Sequence, residues 1–348
     1  MCRGGITLKL GVTMKITVTY IGAVIGAGFA SGQEIFQFFI IYRNNGLLGI
    51  ILAGIIFSIL GVNIVYIGKN LSVANYQQLF YRLAGKKLGC VADFFFSLFL
   101  FGSLVVMLAG SKEIVAFLFS INSNIALLVS IVIVVLANYY GLEGIMKLNL
   151  VLIPFLIIVT LLVINGLVTG FEIDLTTVDF ELEWIFSSLV YSGYNLILGL
   201  TVLLPLADKA EKRELTLGVI AGGLLLGLLA FLIGYVLNQF YPQVLNTEIP
   251  MLEIISQHRK DLYHIYAVTL WLAMLTTASC NLYGLLDRIE STVKLTRQKI
   301  LIILMVLIGP ISNLSFARLI EWIYPQLGKA SLGLLSLLII NYLCQDRF

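Results

Sequence analysis

Along the chain, long unbroken apolar stretches alternate with short polar segments. Ten such stretches can be drawn, at 14–41, 46–68, 88–118, 123–141, 147–169, 184–207, 215–240, 262–286, 300–317 and 328–344. An α-helix needs roughly 20 apolar residues to cross the hydrocarbon of a bilayer, and each stretch reaches or approaches that length. None alternates apolar and polar residues with period two, so strands of a membrane barrel are not indicated. The first stretch is long, lacks a small-residue cleavage site and contains Ser31, Gln33 and Glu34, so it reads as a span and not as a cleaved signal peptide. The pattern predicts an all-α membrane protein with ten transmembrane helices.

The loop 170–183 carries Glu172, Asp174, Asp179, Glu181 and Glu183 and no base. It divides the chain into a first repeat of five spans, 1–169, and a second of five, 184–348, the latter with a polar lid segment at 241–261. Five is odd, so the second half enters the membrane from the opposite side, the arithmetic of an inverted-topology repeat. In that plan the first helix of each repeat is broken near the midplane, where bare backbone groups serve as ligands. Breaks are therefore expected in spans one and six. Span one holds Gly22, Gly26, Gly28 and Gly32, then Gln33 and Glu34. Span six holds Tyr191-Ser192-Gly193-Tyr194-Asn195 between apolar turns. The alternative for each is close helix packing, since Gly22-xxx-Gly26 is also a small-xxx-small motif.

Composition agrees and sharpens the class. Hydrophobic residues make up 59% of 348, charged residues 12%, and the mean hydropathy is +1.00. A soluble domain carries about a quarter of its residues charged, so a soluble enzyme is excluded. A net charge of +3 is too weak for a nucleic-acid binder. Cys2, Cys90, Cys280 and Cys344 show no CxxC or Cys/His pairing, so neither a disulfide framework nor a zinc site is indicated. With the N-terminus inside, sixteen of the 22 Lys and Arg residues fall on the cytoplasmic side and the acidic loop falls outside. The expected location is the cytoplasmic membrane, multi-pass, with both termini cytoplasmic. No H-x-x-x-H, paired intramembrane Asp or Ser/His/Asp set occurs in the spans, so a membrane enzyme has no support and no organic cofactor is called for. The expected partners are the lipid bilayer and a small molecule. Glu34 is the lone carboxylate well inside an apolar span, which marks it for a proton relay, an ammonium contact or a hydrated vestibule.

The run Gly22 to Gly28 resembles the first helix of the amino acid–polyamine–organocation superfamily, whose members share the LeuT-type five-plus-five fold. The longer string Gly26-Ala27-Gly28-Phe29-Ala30-Ser31-Gly32-Gln33-Glu34 is similar to the YkvI-type amino acid permeases of bacteria. The resemblance implies a secondary active transporter of a small amino acid or related zwitterion, working by alternating access. It places the substrate carboxylate against Ala27, Gly28 and Phe29, near Ser31. Ser192, Gly193, Tyr194 and Asn195 close the other side, with Tyr194 as an aromatic lid, and Phe99 and Ser103 of span three face the pocket. Sodium-coupled members place an alanine carbonyl and two hydroxyls, three and four residues on, beside two carbonyls of the first helix. Ala273, Thr276 and Thr277 match that spacing, and Gly22 and Ile25 match the carbonyls. One helical turn brings i, i+3 and i+4 to one face, so the five oxygens suit Na+ as coupling ion. Thr and Ser in membrane helices also commonly bond backbone carbonyls, which is the plainer account. Proton coupling on the same fold is an alternative. So is a ligand-sensing or ion-conducting subunit of the spore germinant receptor type, which shares the superfamily.

Overall fold

A computed structural model of the chain describes residues 4–168, 182–245, 247, 249–312 and 333. The expected tenth span, 328–344, apart from residue 333, and nearly all of the acidic loop lie outside the described residues. Twelve α-helices are described: α1 (Gly4–Val24), α2 (Ala27–Ala30), α3 (Gln33–Phe38), α4 (Asn44–Asn70), α5 (Tyr76–Phe119), α6 (Ser123–Tyr139), α7 (Gly141–Leu167), α8 (Leu182–Lys209), α9 (Lys212–Gln239), α10 (Pro250–His258), α11 (Tyr263–Glu290) and α12 (Arg297–Ile311). Among the described residues there is no strand. Six helical segments, built on α4, α5, α7, α8, α9 and α11, are long and apolar enough to cross a membrane, and α6 and Gly11–Val24 are shorter apolar helices.

Local chemistry sets several boundaries. Asn75 caps α5 by accepting the Gln78 amide at 2.9 Å, and Asn122 caps α6 through the Asn124 amide at 2.8 Å. A reciprocal Glu211–Glu214 capping box opens α9. Helix α5 turns sharply at Gly85 (φ 72°, ψ 178°), a conformation that glycine adopts without steric cost. The stretch before it, from Tyr76, is helical where the apolar pattern had indicated only a connection.

The helices sort into two groups. Helices α1, α4, α8 and α9 pack chiefly on one another, as do α5, α6, α7 and α11, and α1 bridges to α7 and α11. Small residues bring α4 against α9: a Cβ on Gly54 would lie 2.8 Å from the Gly227 Cα, and one on Gly223 2.6 Å from the Ser58 amide nitrogen. Close backbone approach of this kind is how membrane helices gain packing energy where lipid supplies no hydrophobic drive. The opposite face of α4 presents Ile51, Ile55 and Ile59 outward at four-residue spacing, and Phe94, Phe95 and Leu98 do the same on α5. Inward small residues and outward large apolar ones are the pattern of a helix facing lipid.

Between α5 and α11 the packing includes polar contacts alongside aromatic ones such as Phe117–Tyr263 and Phe119–Trp271. Asn281 donates to the Ser103 hydroxyl at 2.9 Å, and Arg288 pairs with buried Asp93 at 3.0 Å. Glu143 and Lys147, one turn apart at the start of α7, form a local ion pair at 2.9 Å.

Candidate functional site

The first apolar stretch is not one helix. Helix α1 ends at Val24, Ile25 and Gly26 are non-helical, and α2 makes a single turn before α3 begins. Between α2 and α3, Gly32 stands at φ 78°, in the left-handed region, with the side chains of Leu237 and Met251 filling the space a Cβ would need. Such a segment at membrane depth persists only where its freed backbone groups find partners. They do. Neither Gly22 O nor Ile25 O receives a backbone hydrogen bond among the described residues, and the Thr277 hydroxyl on α11 reaches both, at 3.3 and 2.7 Å. The Tyr266 hydroxyl, also on α11, donates to Ala30 O at 2.6 Å, and the Met251 amide of α10 donates to Ser31 O at 3.0 Å.

The five oxygens singled out on spans one and eight thus fall into two groups, one of three and one of two. Thr277 Oγ1 joins the two α1 carbonyls, and one residue earlier Thr276 Oγ1 donates to Ala273 O at 2.9 Å, all fully buried. Asn149 on α7 adds a polar group that the motif reading missed. It is fully buried, and a Cβ on Gly22 would lie 2.6 to 2.8 Å from its carboxamide. Neither amide atom has a hydrogen-bond partner of normal geometry, and the thiol beside it, Cys280, is a weak one. The sequence signal was weak: Asn149 is one of two amides, with Asn165, in a mostly apolar span.

On the other side of the break lies Glu34, 6% exposed. A hydrated vestibule position is therefore not what the structure gives it. The left-handed turn at Gly32 folds its side chain back, and a Cβ on Gly28 would collide with the Glu34 carboxylate. Tyr194 of α8 hydrogen-bonds Glu34, and the Tyr194 ring meets Phe99 of α5 edge-on at 6.0 Å. The Ser31 hydroxyl donates to Gly28 O at 3.2 Å, and Phe29 is buried. Gly28, Ser31, Glu34, Tyr194 and Phe99 therefore share one region.

The expected break in span six is not observed. Helix α8 runs continuously through residues 191–195. Its polar residues serve other carbonyls instead of replacing its own backbone bonds. The Ser188 hydroxyl donates to Gly49 O at 3.0 Å and the Ser192 hydroxyl to Ala53 O at 3.5 Å, a four-residue pitch matched on α4. Asn195 turns back onto Tyr191 O at 3.0 Å within the same helix. Ser192 and Asn195 thus direct their polar groups to α4 and to the helix itself. Among the described residues no group of three or more His, Cys, Asp or Glu side chains could hold a metal ion.

Comparison with known proteins agrees with this architecture. The family model described as "Spore germination protein" matches residues 12–318. Two proteins of Bacillus subtilis (strain 168), the uncharacterized membrane protein YkvI and the uncharacterized protein YyaD, are each 27% identical, over 94% of this chain and 96% of their own length. Among solved structures, MhsT in complex with L-phenylalanine aligns with a TM-score of 0.64 at 16% identity, covering 86% of this chain and 78% of MhsT. The Eremococcus coleocola manganese transporter aligns with a TM-score of 0.62 at 12% identity, covering 97% of this chain and 76% of that one. A Na+-coupled sialic acid symporter gives 0.62 at 12% identity, with 91% and 75% covered. At these identities the likeness is one of fold, and the fold is the LeuT type.

Proposed function

Because the chain belongs to the spore germination protein family, we propose that it is a secondary active transporter of a small amino acid or related zwitterion, driven by sodium through alternating access. The observation that carries this reading is the convergence on the α1 interruption of Gly22 O, Ile25 O and Thr277 Oγ1, with Ala273 O and Thr276 Oγ1 one turn of α11 away. Carbonyls freed at the end of α1 and in the interruption, with helix hydroxyls, form in this reading a neutral oxygen cage of the kind that coordinates Na+ in such folds. Asn149, buried beside Gly22 without a partner of normal geometry, is a further ligand in this reading.

The ten-span inverted repeat is part of the same proposal. Under it α1 corresponds to α8, α4 to α9 and α5 to α11, and each of these pairs packs together. Only the first of the two lead helices need be broken for the cage to form. The basic-residue bias puts the N-terminus in the cytoplasm, and α10, hydrogen-bonded to Ser31, then acts as the external lid. Gly28, Phe29, Ser31, Phe99, Ser103 and Tyr194 wall the substrate space.

A second reading, a ligand-sensing subunit without accumulation, is favoured by the description of the family as germination proteins. Uptake decides between them. The purified chain in proteoliposomes should accumulate a labelled amino acid only when sodium is higher outside. Binding without accumulation would favour the sensor. Uptake that ignores sodium but follows a proton gradient, and loses its pH dependence in Glu34→Gln, would replace sodium by protons.

A further inference from the structure

We propose that the ligand's charged anchor is a cationic amine seated on Glu34, and that the ligand brings no carboxylate of its own to the α1 interruption. The inference rests on reading that interruption as the ligand site, and it departs from the proposed function in one respect: it puts a primary amine where that reading has a zwitterion.

The space beside Gly28 is where an α-carboxylate would be expected, and there the chain places a carboxylate itself. Glu34 is buried, its carboxyl group fills the volume over Gly28, and Tyr194 holds it by a hydrogen bond. A substrate carboxylate at the same point would overlap it and meet a like charge. Among the described residues no Lys, Arg or His pairs with Glu34: Arg288 is bound to Asp93, Arg297 to Glu290 and Lys147 to Glu143. An ionised carboxylate buried without a cation is costly, and a bound ammonium offsets part of that cost. One turn from Tyr194, the Tyr191 hydroxyl is also buried and has no hydrogen-bond partner, and it lies within electrostatic reach of Glu34. An ammonium has three donors to place, and the Glu34 carboxylate and the Tyr194 hydroxyl bonded to it are oxygens that can accept them. The Tyr194 ring, packed edge-on against Phe99, adds an aromatic group of the kind that attracts a cation.

Matched pairs that differ only in the carboxylate test this. The full chain in lipid nanodiscs is titrated with isobutylamine against valine, isoamylamine against leucine, and 2-phenylethylamine against phenylalanine, with binding read by calorimetry and thermal shift. The wild type should bind at least one amine about tenfold or more tightly than its amino acid. Glu34→Gln, which keeps the shape and can still bond Tyr194, should lose that preference. Glu34→Ala empties the volume over Gly28 and should shift the preference toward the amino acid. Wild-type preference for the amino acids, amine binding unchanged in Glu34→Gln, or no amine binding at millimolar concentration would each overturn the assignment. The sodium-induced thermal shift, which depends on the other side of the break, reports whether each variant is folded. Sodium-driven uptake of an amino acid by the wild type would leave the transporter standing and remove the amine. Glu34-dependent amine binding with no accumulation in proteoliposomes would keep the amine and remove transport.

Discussion

Two stretches of the chain carry the same kind of polar and small residues, 22–34 and 191–195, yet one is interrupted and the other is a continuous helix. The difference lies in what surrounds them. At the first, donors converge from outside: Thr277 and Tyr266 on α11 and the Met251 amide on α10 satisfy Gly22 O, Ile25 O, Ala30 O and Ser31 O. At the second, the donors belong to the helix itself: Ser188 and Ser192 reach carbonyls of α4, and Asn195 bonds Tyr191 O. A membrane helix breaks where its neighbours can cap the freed carbonyls, whatever its own sequence contributes. The break therefore ties α1 to α10 and α11, so displacement of either helix would be felt at the Thr277 contacts and at Glu34.

Removing the shared donor should have the largest effect. Thr277→Val leaves two buried carbonyls without their partner, which costs about 1–3 kcal/mol of stability. It should also abolish the sodium-induced rise in melting temperature. A sodium response equal to that of the wild type would detach the cage from α11. The next effect is a trade between stability and ion binding. Asn149→Leu replaces an unsatisfied amide by a near-isosteric apolar group, and in sodium-free buffer the variant should melt no lower than the wild type. Its apparent sodium affinity should fall about tenfold, equivalent to the loss of one ligand of roughly 1.4 kcal/mol. A lower melting temperature with unchanged sodium affinity would make Asn149 a packing residue. Gly32→Ala tests the turn that aims Glu34. At φ 78°, with Leu237 and Met251 in the way, an added methyl should cost about 1–2 kcal/mol and weaken ligand binding through misplacement of Glu34. An unaltered denaturation midpoint would show that the turn is not constrained.

Much of this was legible beforehand. Each apolar stretch that falls within the described residues became a helix or, for the first, a chain of short ones, because twenty apolar residues in lipid have few other options. The glycine cluster at 22–32 marked the interruption, since four glycines in an otherwise apolar span are costly unless the backbone must bend or approach something closely. Of Ala273, Thr276 and Thr277, picked out by their spacing, Thr277 is the one that bonds the interruption, while Thr276 bonds Ala273 O within α11. Glu34 was seen as an intramembrane acid, but not its position over Gly28. Helical periodicity places residue 34 almost two turns from residue 28, and only the left-handed turn at Gly32 brings them together. Asn149 was missed for a related reason: its neighbour Gly22 is far away in the chain. The break in α8 was expected from local composition alone, and local composition does not reveal that Ser188 and Ser192 face the carbonyls of α4.

The smallest expected effect puts the comparison at greatest risk. The Ser192 hydroxyl reaches Ala53 O at 3.5 Å, at the limit of a hydrogen bond, whereas Ser188 donates to Gly49 O and Trp184 O at 3.0 and 2.7 Å. Ser188→Ala should then destabilise by about 1 kcal/mol and Ser192→Ala by less, with ligand binding and sodium response intact in both. Melting curves and titrations on the two variants measure this directly. Loss of ligand binding in Ser192→Ala at an unchanged melting temperature would mean that the hydroxyl leaves α4 and meets the ligand. Helix α8 would then open in another state of the transport cycle, and the two stretches would be alike after all.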